Sequence, residues 1–400
     1  MADMRCQKPE ISDLRHHNST FMWMGLVSEC MPRATVEYDW ERRIERVREQ
    51  MLADGFDGLY VPAGPNQFYL TGYSGYDGGW PIWLNAFILP AEGDPRFILT
   101  EMDEDIFQHA TTWIDDDLVV TYMDGEDPTA LLSEIFTELE LTNGRIGLQD
   151  ETWFGDTRLI RDAAPGVTLE SAQHIFDRVR AVKDEREIEN IRRATEMAGD
   201  VFERLTEAVW EGRPVTEAAE EIGGAMLGAG SERVGGLGES FDNPDGHFED
   251  GEIVNLDIGP QHKYYTTDCG RVFFVGSPDP AHEDLYRLMN ECFEATLEIV
   301  EPGVTCHEVH TFAESYLAER GHDLPWKIGH GIGLMGGHEA PLVQANNHTE
   351  LEPGMVIVID PGTHIDGFDR DVPIHVESPV VVTEDGAENL SPFTHDVITL

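Results

Sequence analysis

The stretch that decides the fold is IVNLDIGPQHKYYTTDCGRVFFVG, residues 253–276. Residues 253–258 form a first predicted strand, and the aromatic and β-branched residues of 264–275 form a second. Gly259, Pro260 and the polar residues after them predict the turn between the strands. The stretch is therefore interpreted as a β-hairpin in which each strand carries one aspartate.

Folding this hairpin about the bond between His262 and Lys263 places Asp257 directly opposite Asp268. Opposed side chains of this kind have Cβ atoms roughly 4.5–5.5 Å apart, and like charges there destabilise the sheet. A shared proton or a bound cation would relieve the repulsion. Two solvated acids at the mouth of a hairpin are the simpler alternative.

A second hairpin repeats the pattern and favours the cation. Residues 354–362, GMVIVIDPG, carry Asp360 near the end of an apolar strand, and residues 370–386, RDVPIHVESPVVVTEDG, carry Glu377. These two acids also oppose each other when the chain folds about the loop at Phe368–Asp369. Four carboxylates that face one another need positive charge to balance them.

Between the hairpins lies WKIGHGIGLMGGHEAP, residues 326–341, whose glycines permit close backbone approach and positive φ. His330, flanked by glycines, is expected to face a cleft and to add a nitrogen ligand. Four carboxylates and one imidazole suit two divalent ions that accept oxygen and nitrogen, such as Mn²⁺, Co²⁺, Fe²⁺ or Zn²⁺. Two such ions can hold a hydroxide between them.

The composition limits the classes of protein that the chain can belong to. Its 400 residues suffice for two domains, and its formal net charge of −50 is spread over the whole length. Such a chain repels itself in dilute buffer, whereas molar salt, with a Debye length of about 3 Å, removes most of that penalty. The hypothesis is a protein from a high-salt cytoplasm. Nucleic-acid binding is disfavoured because no basic patch exists.

Cysteine usage and hydropathy agree with a cytoplasmic location. The chain has five cysteines, an odd number, and no CxxC spacing, which predicts reduced thiols. No apolar run approaches 18 residues, so no membrane span is expected.

The order of predicted elements divides the chain into three parts. Residues 1–36 lack periodicity and are interpreted as an N-terminal arm. Residues 37–175 alternate helices with short strands, which indicates an α/β domain. Residues 176–400 begin with a long amphipathic helix and contain both hairpins.

A faint internal repeat lies within the second domain. Residues 213–230 resemble residues 302–321, and each segment places a threonine before a predicted helix. Thr305 and Glu308 also have the spacing of a capping box.

These motifs resemble the pita-bread metallohydrolases, which include aminopeptidase P, prolidase and creatinase. The matching segments are LDIG with Asp257, TTDCGR with Asp268, GHGIG with His330, HEAP with His338, LEPGMVIVIDPG with Asp360, and VESPVVVTEDGAENLS with Glu377. NQFYLTGY at 66–73 resembles the additional N-terminal domain of this family. The resemblance implies an α+β pita-bread catalytic domain, a pseudo-two-fold antiparallel sheet flanked by helices, preceded by an α/β creatinase-like domain.

The resemblance also implies roles for individual residues. The metal ligands would be Asp257, Asp268, His330, Asp360 and Glu377, with Asp268 and Glu377 shared by two divalent ions, Mn²⁺ being the first choice. Asp360 would also be the general acid/base. His338 would contact the scissile carbonyl oxygen, and His247 would steady the bound substrate.

The chain departs from the family pattern near the predicted site. Asp360 stands where the family has a glutamate, and His375 stands where an arginine is frequent. The segment between His247 and Asp257 is short, and one extra residue precedes His338. These departures bear on the substrate, because every expected ligand is still chemically competent.

Three functions are compatible with this sequence. The resemblance implies a dinuclear metal-dependent Xaa-Pro aminopeptidase or dipeptidase that uses a metal-bridging hydroxide, is cytoplasmic and forms a homodimer. The alternatives are a pita-bread enzyme acting on a small non-peptide, as creatinase and ectoine-ring hydrolase do, and a non-catalytic domain that binds peptides. Intact acidic residues argue against the last.

Overall fold

The computed structural model describes residues 38–73, 83–334, 337–365 and 373–400. The predicted arm at 1–36 and the predicted loop centre at Phe368–Asp369 lie outside the described residues.

The N-terminal domain alternates helices with short strands, as the sequence predicts. Its helices are α1 (Trp40–Asp54), α2 (Pro65–Thr71), α3 (Glu104–His109), α4 (Thr129–Glu138), α5 (Phe154–Ala163) and α6 (Gln173–Ala181). Its strands are β1 (Gly58–Pro62), β2 (Ala86–Pro90), β3 (Arg96–Thr100), β4 (Val119–Tyr122), β5 (Arg145–Leu148) and β6 (Thr168–Ser171). They form one sheet in the order β4-β3-β2-β1-β5-β6. The β1–β2 and β2–β3 pairs are antiparallel, and the other pairs are parallel.

The edge strand β6 and the helix α6 were not predicted. Three of the four β6 side chains are exposed, so its sequence TLES lacks the alternation of apolar and polar residues that marks a strand with one buried face. Pairing with β5 rather than burial therefore defines this strand.

The C-terminal domain contains helices α7 (Glu185–Leu205), α8 (Val215–Ala229), α9 (Pro280–Leu297) and α10 (Cys306–Ala318). Its strands are β7 (Ile253–Ile258), β8 (Gln261–His262), β9 (Tyr265–Thr266), β10 (Cys269–Phe274), β11 (Gly329–Gly331), β12 (Glu339–Val343), β13 (Val356–Ile359), β14 (Gly362–His364), β15 (Pro373–His375), β16 (Ser378–Thr383), β17 (Gly386–Asn389) and β18 (Ile398–Thr399). The larger sheets run β18-β10-β7 and β12-β11-β13-β16-β17.

The helix caps test the predicted repeat. Thr305 and Glu308 form the expected capping box at the start of α10. Thr216 lies inside α8, whose N-terminal cap is Pro214, so the repeat does not extend to a threonine cap there. A second capping box, between Asp184 and Glu187, begins α7.

The first hairpin has a different register from the predicted one. Asp257 pairs with Gly270, and Ile258 pairs with Cys269, so Asp257 and Asp268 are not directly opposed. The turn lies at Lys263 and Tyr264, one residue later than predicted, and both have positive φ, 49° and 69°. Two such residues define a tight hairpin turn whose twist matches that of the flanking strands. The shift moves the pairing by two residues, so both aspartates still project from the same face.

The second hairpin has the predicted register. Ile359 pairs with Ser378 and Gly362 pairs with His375. Asp360 and Glu377, which lie between these pairs, therefore oppose each other as expected.

The two hairpins are joined where the acids lie. The backbone N–H of Gly270 donates to the carbonyl of Glu377 at 3.2 Å, and the N–H of Glu377 donates to the carbonyl of Gly270 at 3.1 Å. The buried Arg271 guanidinium also donates to the Glu377 carbonyl, at 2.6 Å, and to the hydroxyl of Ser378. These bonds fix Glu377 against the first hairpin.

A buried arginine connects the two domains. Arg43 on α1 is 3% exposed and lies 3.3 Å from the Glu187 carboxylate on α7. It also donates to the hydroxyl of Tyr265, which in turn donates to Glu187 at 2.8 Å. Because both charges are buried and hydrogen-bonded, this contact resists separation of the domains.

Within the described part of the chain, no helix combines the length and the apolar character that crossing a membrane requires. Cys269, Cys292 and Cys306 are buried and free, as predicted for reduced thiols. The other two cysteines, Cys6 and Cys30, lie outside the described residues.

Candidate metal centre

Three carboxylates from the two hairpins converge. Asp257 on β7, Asp268 just before β10 and Glu377 between β15 and β16 have ligand atoms within 4.8 Å of one another. Glu377 is buried and the two aspartates are half-buried. Because the two-residue shift keeps Asp257 and Asp268 on one face, the acids come together although they are not directly opposed as predicted.

His330 on β11 points an unpartnered nitrogen at these acids. Its Nδ1 lies 3.0 Å from the carbonyl of Gly331, and because a carbonyl only accepts, Nδ1 carries the proton and Nε2 has a free lone pair. Nε2 is buried without a hydrogen-bond partner and lies 3.7 Å from Asp268 and 3.6 Å from Glu377. Burial lowers the pKa of His330 to about 3, with a further contribution from His338. A neutral imidazole with a free, buried lone pair is suited to bind a metal ion.

The glycines around His330 allow neighbouring backbone carbonyls to approach closely. A Cβ on Gly329 would lie 1.9 Å from the carbonyl oxygen of Val358, and one on Gly331 would lie 2.3 Å from that of Ala340. Neither glycine has a positive φ, so of the two predicted reasons only close approach applies to them. His330 is 1% exposed, which corrects the expectation that it faces an open cleft.

His338 stacks beside His330. Their ring centroids are 3.8 Å apart, and His338 Nε2 lies 3.7 Å from Asp268. The His338 side chain is 58% exposed, so it reaches solvent while touching the buried cluster. Burial of part of the ring lowers its pKa, and the charge of Lys327 lowers it further.

The residue after His338 connects it to the N-terminal domain. The Glu339 carboxylate accepts a hydrogen bond from the backbone N–H of Leu334 at 2.6 Å and pairs with Arg180 of α6. Arg180 also donates to the side-chain oxygen of Asn66, at 2.7 Å, in the N-terminal domain. This chain of contacts fixes the position from which His338 projects.

Asp360 lies beside the cluster and is held by His375. The distance from His375 Nδ1 to Asp360 Oδ1 is 2.9 Å, and His375 Nε2 lies 2.7 Å from Asn255 Oδ1. Both ring nitrogens are thus engaged. Asp360, His375 and Glu377 form a second group whose ligand atoms lie within 4.8 Å of one another.

The electrostatics of the cluster call for positive charge. Burial raises the pKa of Asp268 and of Glu377 well above the ordinary values, and the negative charge of Asp257 adds to both shifts. Burial also raises the pKa of Asp360, and His375 opposes that rise. The acids therefore resist ionisation unless a cation compensates them, which is the behaviour of carboxylates built around metal ions.

Three overlapping groups of ligand atoms could each hold a metal ion. Asp268 belongs to a group with His330 and His338 and to a group with Asp257 and Glu377, while Glu377 also belongs to the group around Asp360. Oxygen and imidazole donors of this composition suit the divalent ions inferred from the sequence.

A cavity of about 590 Å³ opens in front of the acids. It is lined by, among others, Asp257, Asp360, Glu377 and His338. His247 is exposed, its backbone bridges to Pro214, and it is not among the described residues that line the cavity. The cavity that contains the acids thus does not include His247, and its role in steadying the substrate stays a prediction.

Two residues for which the sequence predicted no role at the site lie at its centre. Asn255 precedes Asp257 by two residues, and His375 precedes Glu377 by two. Since side chains two apart on a strand share a face, this spacing was the signal that could have found both. Lys327, at the rim of the cavity, was also not selected.

The fold and the acidic centre together define a two-domain metallohydrolase of pita-bread architecture. Residues 189–384 match the family described as Metallopeptidase family M24, and residues 43–182 match the Creatinase/Prolidase N-terminal domain. The chain belongs to metallopeptidase family M24 and is a metallopeptidase.

Known proteins resemble this chain along most of its length. The probable dipeptidase PepE of Mycobacterium tuberculosis is 29% identical over 373 residues, covering 90% of this chain and 96% of that protein. The Xaa-Pro dipeptidase of Pyrococcus horikoshii is 24% identical and covers 89% of this chain and 98% of its own.

Solved structures show the same architecture. The dipeptidase PepE from Mycobacterium ulcerans superposes with a TM-score of 0.80 at 26% identity, covering 91% of this chain and 99% of that one. The dipeptidase from Pyrococcus horikoshii gives the same TM-score of 0.80 at 24% identity, covering 90% and 100%. The pita-bread fold with its creatinase-like N-terminal domain is thereby confirmed.

Proposed function

We propose that the protein is a dinuclear metal-dependent peptidase that cleaves the bond before proline in Xaa-Pro substrates. The family is that of metallopeptidases, and the similar proteins carry the names dipeptidase and Xaa-Pro dipeptidase. The proposed ligands are Asp257, Asp268, His330, Asp360 and Glu377, with Asp268 and Glu377 shared between two ions.

One observation supports this proposal above the others. The buried Nε2 of His330 has no hydrogen-bond partner and faces two carboxylates at 3.6–3.7 Å. That separation is too long for a hydrogen bond and leaves room for an ion that bonds to all three groups. A purely structural histidine in this position would leave a buried polar atom unsatisfied, which proteins avoid.

Two divalent ions at this centre would supply an activated water and would polarise the scissile carbonyl. Asp360 accepts the proton of the attacking water and delivers it to the leaving nitrogen. His375 keeps the Asp360 carboxylate oriented. Because both nitrogens of His375 are engaged, at 2.9 Å and 2.7 Å, we assign it to positioning rather than to metal binding.

His338 has a separate task in this mechanism. Its side chain is exposed to the cavity, while its ring is stacked on His330 and its backbone is fixed through Glu339. A neutral imidazole so placed donates a hydrogen bond to the oxygen of the scissile carbonyl as negative charge develops there.

The test combines metal content with a substrate panel. The purified protein is analysed for bound metal, and the metal-loaded form is incubated with Xaa-Pro dipeptides, longer Xaa-Pro peptides, creatine and ectoine. We expect hydrolysis of Xaa-Pro substrates only. In Asp268→Asn we expect loss of bound metal and of activity with the fold retained. Asp200→Asn, the same exchange at an exposed position of α7, is the matched control.

The panel also decides between this proposal and the small-molecule alternative. Asp360 pairs with His375 where the sequence departs from the family pattern. This departure is the reason to include non-peptide substrates in the panel. Hydrolysis of creatine or ectoine without cleavage of Xaa-Pro peptides would overturn the peptidase assignment. Stoichiometric metal without any hydrolysis in the panel would also count against it.

A further inference from the structure

A single lysine faces the cavity of the metal centre. Lys327 is half-buried and lines the same cavity as Asp257, Asp360 and Glu377. No hydrogen bond or ion pair joins its ammonium group to any residue within the described ranges. The chain has only four lysines, so a lysine without a partner beside four acids is an unusual placement.

The backbone holds Lys327 next to Asp360. The indole N–H of Trp326 donates to the Asp360 carbonyl at 3.2 Å, and the backbone N–H of Asp360 donates to the carbonyl of Ile328 at 2.7 Å. The Trp326 ring also packs directly on Gly362, where an added Cβ would lie 2.4 Å from it. Lys327 lies between Trp326 and Ile328 in the chain, so the position of its backbone at the cavity wall is fixed.

The positive charge of Lys327 affects the pKa of two of the acids, although Lys327 forms no ion pair with either. Burial raises the pKa of Asp268 and of Asp360, and the positive charge of Lys327 opposes the rise in both. Two divalent ions would balance four ionised carboxylates. Besides those acids, the described charged residues that line the cavity are the exposed Asp242 and the half-buried Lys327. The lysine thus supplies positive charge at the cavity wall, and it favours an anionic group on the ligand.

The anionic group follows from the chemistry of the proposed substrates. In an Xaa-Pro dipeptide, the proline carries a free carboxylate one residue beyond the scissile carbonyl. In a longer Xaa-Pro peptide, the same atoms form a neutral amide. A cation at the cavity wall therefore distinguishes dipeptides from longer peptides.

We propose that Lys327 binds the C-terminal carboxylate of an Xaa-Pro dipeptide and makes the enzyme a dipeptidase. This inference rests on the proposed function and narrows its substrate class.

Arg233 is the competing cation. It lines a neighbouring cleft of about 780 Å³ between the two domains, which shares only His338 with the cavity of the acids. Arg233 is exposed, whereas Lys327 is half-buried in the cavity that contains the acids themselves. A half-buried lysine in the cavity that contains the acids is less screened by solvent and is the stronger carboxylate partner.

The experiment compares Ala-Pro with Ala-Pro-amide, which differ only in the terminal charge. For the metal-loaded wild type we expect kcat/KM to be larger for the free acid. In Lys327→Met we expect a loss of about 10- to 100-fold for Ala-Pro, the range for a hydrogen bond to a charged group, and little change for the amide. Lys327→Arg should restore most of the preference, and Lys263→Met, at the turn of the first hairpin, should behave as wild type.

Binding supplies a readout that is independent of turnover. Calorimetry on the metal-loaded wild type should show tighter binding of proline than of prolinamide, and Lys327→Met should remove the difference without changing bound metal.

The outcomes separate the inference from the proposed function. If neither Ala-Pro nor its amide is cleaved, the proposed function fails. If both are cleaved equally by the wild type, or if Lys327→Met lowers both equally, the inference fails while the function stands. Loss of the acid preference in Arg233→Met but not in Lys327→Met would place the carboxylate in the neighbouring cleft and overturn the assignment.

Discussion

Replacing Gly270 with alanine should disturb the metal centre without removing any ligand. Gly270 pairs with Asp257 across the first hairpin and exchanges two backbone hydrogen bonds with Glu377 of the second. A Cβ at this position would lie 2.6 Å from His375 Cε1, 2.7 Å from its Nε2 and 2.9 Å from the Cβ of Glu377.

The size of the effect follows from these distances. Restoring a contact of 3.4 Å to the His375 ring requires a movement of about 0.8 Å. The ring is held at both nitrogens, by Asp360 and Asn255, so the movement breaks or stretches at least one hydrogen bond. Overpacking costs about 1–3 kcal/mol of unfolding free energy. A misplacement near 1 Å at a reacting centre lowers activity by up to about 100-fold.

Urea unfolding and metal titration measure both consequences. The matched control is Gly228→Ala on α8, where nothing lies within 4 Å of the added Cβ and alanine should stabilise the helix by about 0.5–1 kcal/mol. Both variants are compared at the same salt concentration. A Gly270→Ala protein with wild-type unfolding free energy and wild-type metal affinity would refute the close apposition of the hairpins.

Three further predictions concern charge. Asp360→Glu should crowd the pair with His375, at 2.9 Å, and lower kcat while metal content is retained; a sharp rise in Xaa-Pro cleavage would contradict this. Burial lowers the pKa of His395 to about 2. Below pH 6.5 the unfolded chain therefore protonates this histidine while the folded protein does not, and the free energy of unfolding decreases as the pH is lowered. His395→Gln should flatten the slope by up to about 1.4 kcal/mol per pH unit in urea unfolding, and an unchanged slope would exclude it. With a net charge of −50, thermal unfolding should occur at a higher temperature in about 3 M than in about 0.1 M KCl, and an equal or lower midpoint would argue against salt adaptation.

The two hairpins show what sequence reasoning can and cannot fix. The second could be aligned because Asp360 and Glu377 each end or begin an apolar run, and its register is as predicted. The first slipped by two residues because its turn uses Lys263 and Tyr264 at positive φ. Neither is a glycine or an asparagine, so no turn signal marks them. The predicted direct opposition of Asp257 and Asp268 was wrong, but a two-residue shift leaves both side chains on the same face.

The part of the site made of residue types with few possible roles could be predicted from the sequence. The part made of residue types with many ordinary roles could not. Carboxylates inside apolar strands have few explanations, and the structure brings all four together with His330 and His338. No role was predicted for Asn255, and His375 was noted only as a departure from the family pattern, because a single amide or imidazole in a strand has many ordinary roles. His247 was assigned by resemblance alone, and the structure places it at an exposed position where its backbone bridges to Pro214.

The back-to-back junction of Gly270 with Glu377 has a consequence for the kinetics of folding. Each hairpin is closed by local contacts, whereas the junction joins segments that α9 and α10 separate along the chain, so we expect the junction to form later. That late docking step brings like charges together before any ion has entered. Divalent cations present during refolding should therefore accelerate refolding as well as raise the final stability.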